Sequence, residues 1–426
     1  MIRYTFFILL FFCFVNAQDT PFVYGDALPD APILAARGDF NVGVRTLTVY
    51  HKNQLDILNS SAEKPAYYDR PLTLEVWYPA MPSVGDTTLE KYHEVMGNQN
   101  DPKRPLIPFT FFGRATRQAT PLQTAKPFPL VIVSHGYTGS RYLMTYLTEN
   151  LASKGYVVVS IDHTDSTFRD ANAFPSTLLN RSLDDLFVLE QIHEMTQKKG
   201  HFLFGLADAN NTGLVGYSMG GYGALNVGGA GYSPEAVAFF ERITRGSKAL
   251  EQRMMGDPNF EASFDARIKA IVAFAPWGME RGVWNTEGLK GLRIPTFFVA
   301  GSEDDISGYE KGIKALYEGA LNAERYLLTY AQARHNVAPN PPPQEALQKE
   351  LDINEYLRYA DSVWDMRRIN NINQHFVTAF LGVKLKNNTA YLPFLDTSTL
   401  RTQDPWEGFL PRTSVGLQLD YAVPQN

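Results

Sequence analysis

Ser218 lies in Gly216-Tyr217-Ser218-Met219-Gly220, with Gly221 following. Glycines on both sides of a serine suit a sharp turn from strand to helix, because a side chain at either flank would strike the neighbouring strand or helix. Such a turn holds the serine in strained backbone geometry and points its hydroxyl outward. It also leaves the next N–H at a helix start, where negative charge is favoured. The chain has 32 glycines, so chance alone supplies roughly 0.1 matches to this pattern. The flanks add weight: a short apolar run (TGLVG) enters the motif and a small-residue helical pattern (GGYGALNVGGAG) leaves it.

A serine hydroxyl is a poor nucleophile until a base takes its proton, and imidazole does this well near neutral pH. Around this turn the acid and then the histidine follow the serine in the chain. Only His335 and His375 do so. His335 stands just past an apolar run (RYLLTYAQA), on a loop, and is the expected base. His375 lies in a helical pattern beside Phe376 and Phe380 and reads as a packed, hydrogen-bonded histidine. The acid is expected after the run Thr296 to Ala300, in Gly301-Ser302-Glu303-Asp304-Asp305. Spacing favours Asp304, with Asp305 as the alternative and the unused one as a helix cap.

Ser134-His135-Gly136-Tyr137-Thr138-Gly139 follows another apolar run. The backbone N–H groups of Tyr137 and Met219 are the expected oxyanion donors, with Gly136 allowing close approach and His135 structural. Asp162-His163-Thr164-Asp165 has the look of metal-ligand spacing. No second His/Asp/Glu cluster completes a site, so it reads as a polar loop supporting the oxyanion loop, and no metal or other cofactor is expected. Trp277, past the run Ile268 to Ala275, is with Tyr137 a candidate substrate contact.

The elements that must position these residues alternate. Val42 to Tyr50 and Leu72 to Tyr78 are β-rich, alternating runs that predict antiparallel strands. Pro129 to Ser134, Tyr156 to Ile161, Gly213 to Gly216, Ile268 to Ala275, Thr296 to Ala300 and Tyr326 to Tyr330 are apolar throughout, as strands inside a helix-covered parallel sheet are. Helical patterns at Arg141 to Ser153, Ser182 to Lys199, Met219 to Val227 and Tyr309 to Ala320 separate several of them, with Ser182, Asp184 and Asp185 as a helix start. The prediction is an α/β fold: a mostly parallel central sheet flanked by helices, with antiparallel N-terminal strands. Residues 79–126 read as loop-rich. Residues 233–265 read as a helical lid insertion, and a helix is expected over Met366 to Leu381. Residues 386–426 read as an irregular tail.

Composition bounds the function. The 426 residues are 44% hydrophobic and 20% charged, with a formal net charge of -6. That is ordinary globular composition, and no basic block could neutralise a run of phosphates, so nucleic acid is not an expected partner. Residues 1–17 read as a signal peptide: Arg3, the apolar run Phe6 to Val15, and small residues before Gln18. The run is too short for a stable membrane span. Cys13 is the only cysteine, so the mature chain, residues 18–426, has no disulfide. Export to a bacterial periplasm or medium is expected. Oligomeric state is not indicated.

The segment VSHGYTGSRYLMTYLTENLASKGYVVVSIDHTDST, the elbow GYSMGG and the leading strands GVRTLTVY and LTLEVWYPA resemble the platelet-activating-factor acetylhydrolase and dienelactone-hydrolase-like group of α/β-hydrolases. HGYTG, GYSMGG, APW and the Asp304 turn are also similar to bacterial cutinase-type polyesterases. The likeness runs over about residues 37–385. It implies an α/β-hydrolase fold, and a serine esterase acting on small-molecule, lipid or polymer esters through a Ser218-His335-Asp304 triad. There are two departures. Dienelactone hydrolase uses cysteine where this chain has Ser218. The acetylhydrolases carry their acid where this chain reads Ala275-Pro276-Trp277-Gly278. Two other readings use the same elements: a non-catalytic binding protein on this fold, and an acyltransferase or peptidase. An intact elbow, acid and histidine favour hydrolysis, since binding alone requires none of them.

Overall fold

A computed structural model describes residues 22–61, 63–82, 89–171, 174–400 and 405–425. The expected signal peptide, residues 1–17, lies outside the described residues. Among the described residues no helix is long and apolar enough to cross a membrane.

Among the described residues twelve strands form, in chain order: β1 Asn41–Leu55, β2 Tyr67–Ala80, β3 Glu90–Met96, β4 Ile107–Gly113, β5 Thr116–Arg117, β6 Phe128–Ser134, β7 Val157–Asp162, β8 Ala207–Tyr217, β9 Ile268–Phe274, β10 Thr296–Gly301, β11 Arg325–Tyr330 and β12 Leu417–Ala422. Ten of them make one sheet in the order β12-β11-β10-β9-β8-β6-β7-β2-β1-β5. Its middle, from β7 through β6, β8, β9 and β10 to β11, is parallel. β1, β2 and β7 pair antiparallel, as the alternating N-terminal runs predict. Among the central strands β10 and β11 are buried end to end, and β6 and β9 at all but their second residue, which is why their sequences are mostly apolar.

Helices α1 Thr145–Ser153, α2 Phe174–Gln197, α3 Met219–Val227, α4 Pro234–Ile243, α5 Pro258–Ala262, α6 Thr286–Lys290, α7 Lys314–Gly319, α8 Ile353–Leu357 and α9 Met366–Lys386 complete the fold. The sheet is thus helix-covered and mostly parallel, as expected.

Four local expectations need correction. Residues 79–126 are not mainly loop: β3 and β4 pair as a two-stranded sheet over seven residues each. The tail is not wholly irregular, since β12 pairs antiparallel with all six residues of β11 and closes that edge. α2 begins at Phe174, so Ser182, Asp184 and Asp185 are not its start. They are buried in its middle, with Asp184 bound to Arg70. The insertion 233–265 is helical (α4 and α5), but it packs beside the end of α3. There Arg253 holds Asn226 Oδ1 at 2.7 Å and Ser263 Oγ at 2.6 Å. It contributes no residue to the cavity around Ser218.

Candidate active site

Ser134, Tyr217, Gly301 and Tyr330 end four parallel strands, so the loops that leave them converge at one edge of the sheet, where ligand sites of open α/β sheets lie. Ser218 is the residue between β8 and α3, with φ 52° and ψ -110°. That conformation costs a non-glycine residue about 1–3 kcal/mol, and the surroundings hold it in place. Its N–H donates to Phe274 O at 2.8 Å, while its carbonyl accepts from Tyr222 N at 3.0 Å and Trp277 N at 3.1 Å. The glycine flanks are explained by space. A Cβ on Gly216 would lie 2.2 Å from Gly220 O, and one on Gly220 would lie 1.9 Å from Ser134 O.

The residues expected to act together meet here. His335 Nε2 lies 3.0 Å from Ser218 Oγ, and His335 Nδ1 lies 2.9 Å from Asp304 Oδ2 and 3.0 Å from Oδ1. With Nδ1 protonated and donating to the carboxylate, Nε2 is left to accept the serine proton. Asp304 Oδ1 also accepts from the N–H groups of Ile306 at 2.9 Å and Ser307 at 2.8 Å. Burial raises the Asp304 pKa, but His335 and these two N–H groups outweigh it, and the carboxyl sits below its ordinary range. The three side chains are nearly buried, at 6%, 8% and 6% exposure for Ser218, His335 and Asp304.

Asp305, the alternative acid, points elsewhere. It is exposed and paired with Arg334. His375 is buried in α9, where its Nδ1 accepts from Leu34 N at 3.3 Å, and burial pushes its pKa down to about 3.

Tyr137 follows β6 and lines the same cavity as Ser218, and Met219 opens α3. Beneath the 135–139 loop lies a buried polar network. His163 contacts Ser134 Oγ through Nε2 at 2.8 Å and Asp184 through Nδ1 at 3.0 Å. Arg70 grips Asp184 with Nε and Nη2, both at 2.9 Å. Arg181 donates to the His135 carbonyl and to Ser166 Oγ. Burial pushes the His163 pKa to about 3 and holds His135 well below its ordinary value, so both rings are neutral. The Asp162-His163-Thr164-Asp165 stretch is thus tied by hydrogen bonds to Ser134 and His135 at the start of the 135–139 loop. Among the described residues no group of three or more His, Cys, Asp or Glu could hold a metal ion.

The cavity over Ser218 measures about 270 Å³ and is lined by Tyr137, Tyr217, His335, Asn336 and Arg358 among others. Trp277 does not line it. It connects to it through Phe174, whose ring stands 5.1 Å from the indole and 5.7 Å from Tyr137, edge to face in both cases. The sequence reasoning missed the far wall, residues 354–362. No strand or motif precedes that segment. The one local signal was Asn336 beside His335; its Nδ2 donates to the carbonyls of Leu357 and Ala360 in that segment.

Sheet order, elbow and loop placement define an α/β-hydrolase fold. The family profile described as PETase: PET hydrolase-like matches residues 111–240. Cutinase 2 of Thermobifida cellulosilytica is 22% identical over 212 residues, covering 50% of this chain and 62% of that one. Cutinase est1 of Thermobifida alba is 31% identical over 211 residues, covering 49% and 54%. The platelet-activating factor acetylhydrolase of Canis lupus familiaris is 33% identical over 105 residues, covering 21% and 23%. The chain thus spans less than two thirds of the length of these curated relatives. In overall fold it is similar to a ferulic acid esterase from Streptomyces cinnamoneus, with TM-score 0.53 and 18% identity, covering 91% of this chain and 98% of that one. The chain thus has the α/β-hydrolase fold and, over at most about half its length, is similar in sequence to esterases of that fold.

Proposed function

We propose that this chain is a serine esterase that cleaves carboxylic esters through an acyl-enzyme. The observation that carries the reading is the unbroken relay Ser218 Oγ–His335 Nε2, His335 Nδ1–Asp304, buried at the floor of a cavity. Ser218 Oγ attacks the ester carbonyl as His335 Nε2 takes its proton. Asp304 holds the ring and stabilises the imidazolium. The N–H groups of Met219 and Tyr137 receive the oxyanion, the former aided by the start of α3. His335 then gives the proton to the departing alcohol. Water, deprotonated by the same nitrogen, releases the acid. No step requires a metal or other cofactor.

Tyr137, backed by Phe174 and behind it Trp277, offers an aromatic side to the bound acyl or alcohol group. Esters of small molecules, lipids or polymers all present the reacting group this mechanism uses. Export, read from residues 1–17, is part of the same proposal.

The test is Ser218→Ala. Hydrolysis of p-nitrophenyl acetate should fall by at least about a thousandfold, with the circular dichroism spectrum unchanged. Turnover retained in the variant would remove Ser218 as nucleophile and the proposal with it.

A further inference from the structure

Arg358 is the odd charge in the cavity. The other two arginines lining it are paired: Arg104 Nε donates to Glu355 Oε1 at 2.6 Å, and Arg334 pairs with Asp305. Arg358 makes no ion pair with any described residue. Among the described residues its one side-chain hydrogen bond runs from Nη1 to the carbonyl of Tyr137, at 3.1 Å. A guanidinium has five N–H donors in a planar fork, so most of its donors remain unspent in the space shared with Ser218.

The cation is also partly withdrawn from water, and burial lowers its pKa despite nearby Tyr217, Tyr359 and Glu355. A half-desolvated charge without a counter-ion is costly unless a ligand supplies one. A second donor points the same way. Arg104 has its Nη2 buried without a hydrogen-bond partner.

Resting on the esterase reading above, we propose that Arg358 selects esters that carry a free carboxylate, such as half-esters of dicarboxylic acids. The fork matches two carboxylate oxygens at once. The Tyr137 carbonyl contact puts it one residue's backbone from an oxyanion donor, so a short carboxylate-bearing chain can span from Arg358 to the reacting carbonyl. A monoanion fits better than a phosphate dianion, because Asp305 and Asp361 stand at the same cavity. At about 270 Å³ the cavity suits a small acid rather than a long acyl chain.

The experiment compares matched pairs, monoethyl and diethyl esters of succinate, glutarate and adipate, by pH-stat on the full chain. The wild type should favour at least one half-ester in kcat/KM over its neutral diester, and the preference should weaken with added salt. Arg358→Gln should lower the half-ester to diester ratio by about tenfold to a hundredfold, chiefly through KM, and Arg358→Lys should restore part of it. Two outcomes overturn the inference. One is a wild type that prefers every diester. The other is an Arg358→Gln variant that loses both substrates in equal proportion, which would make Arg358 only a support for Tyr137. Absence of turnover on all six esters and on p-nitrophenyl acetate would instead bring down the esterase reading itself.

Discussion

At the scale of single residues, two adjacent carboxylates have opposite fates. Asp304 is buried, accepts two backbone N–H groups and meets His335; Asp305 faces outward to Arg334. Asp304→Asn would present an amide to His335 and favour the wrong ring tautomer. The expected loss in kcat is about 10³- to 10⁴-fold. Asp305→Asn removes an exposed ion pair of the kind worth about 0–1 kcal/mol and should stay within about tenfold of wild type. Steady-state kinetics of the two variants on one neutral ester decides the matter, and a reversed order would move the acid. The glycines at 216 and 220 belong to this scale too, since each excludes a Cβ by direct contact with backbone oxygen.

At the scale of elements, β12 is the least expected. It returns from the end of the chain to cover β11, with Leu419 at 2% exposure. An uncovered β11 would offer a row of free N–H and C=O groups to other chains. β11 also leads into the loop that carries His335. Leu419→Asp should therefore cost about 3 kcal/mol of stability and promote aggregation on heating, seen as a lower melting temperature and rising light scatter. A melting temperature unchanged from wild type would show β12 to be dispensable. The same scale explains α2. Asp184 is held by Arg70, 114 residues earlier in the chain, so what reads locally as a helix start is a long-range buried ion pair.

At the scale of the molecule, global stability should depend on pH through Glu94. This carboxyl on β3 is 7% exposed, and its Oε1 accepts from Val95 N at 2.8 Å. Burial, then the nearby Asp162, pushes its pKa up to about 7. The folded protein thus keeps a proton that the unfolded chain loses near pH 4.5. Stability from this group is fully present below about pH 4.5 and is lost as pH rises through about 7. Each pKa unit is worth about 1.4 kcal/mol, so the loss amounts to about 3 kcal/mol by pH 8. Glu94→Gln should flatten that part of the profile in urea titrations at pH 5 and pH 8. Parallel profiles for variant and wild type would exclude Glu94 as the cause.

The sequence by itself determined the glycine-flanked turn at Ser218 and the sheet that holds it. A glycine-flanked serine has few other backbone solutions, and strands buried on both faces must be apolar throughout, so Ser218, the loops bearing Asp304 and His335, and the parallel centre were legible from local pattern. Only the tertiary structure decided which of Asp304 and Asp305 meets the histidine, because one residue along a tight turn reverses the direction of a side chain. It alone revealed β12 and the β3–β4 pair, short strands whose stability comes from a partner distant in sequence or across a weakly patterned loop. It alone placed residues 354–362 over the cavity, and with them Arg358. A charge without a counter-ion is a property of everything around it, and no window of sequence contains that.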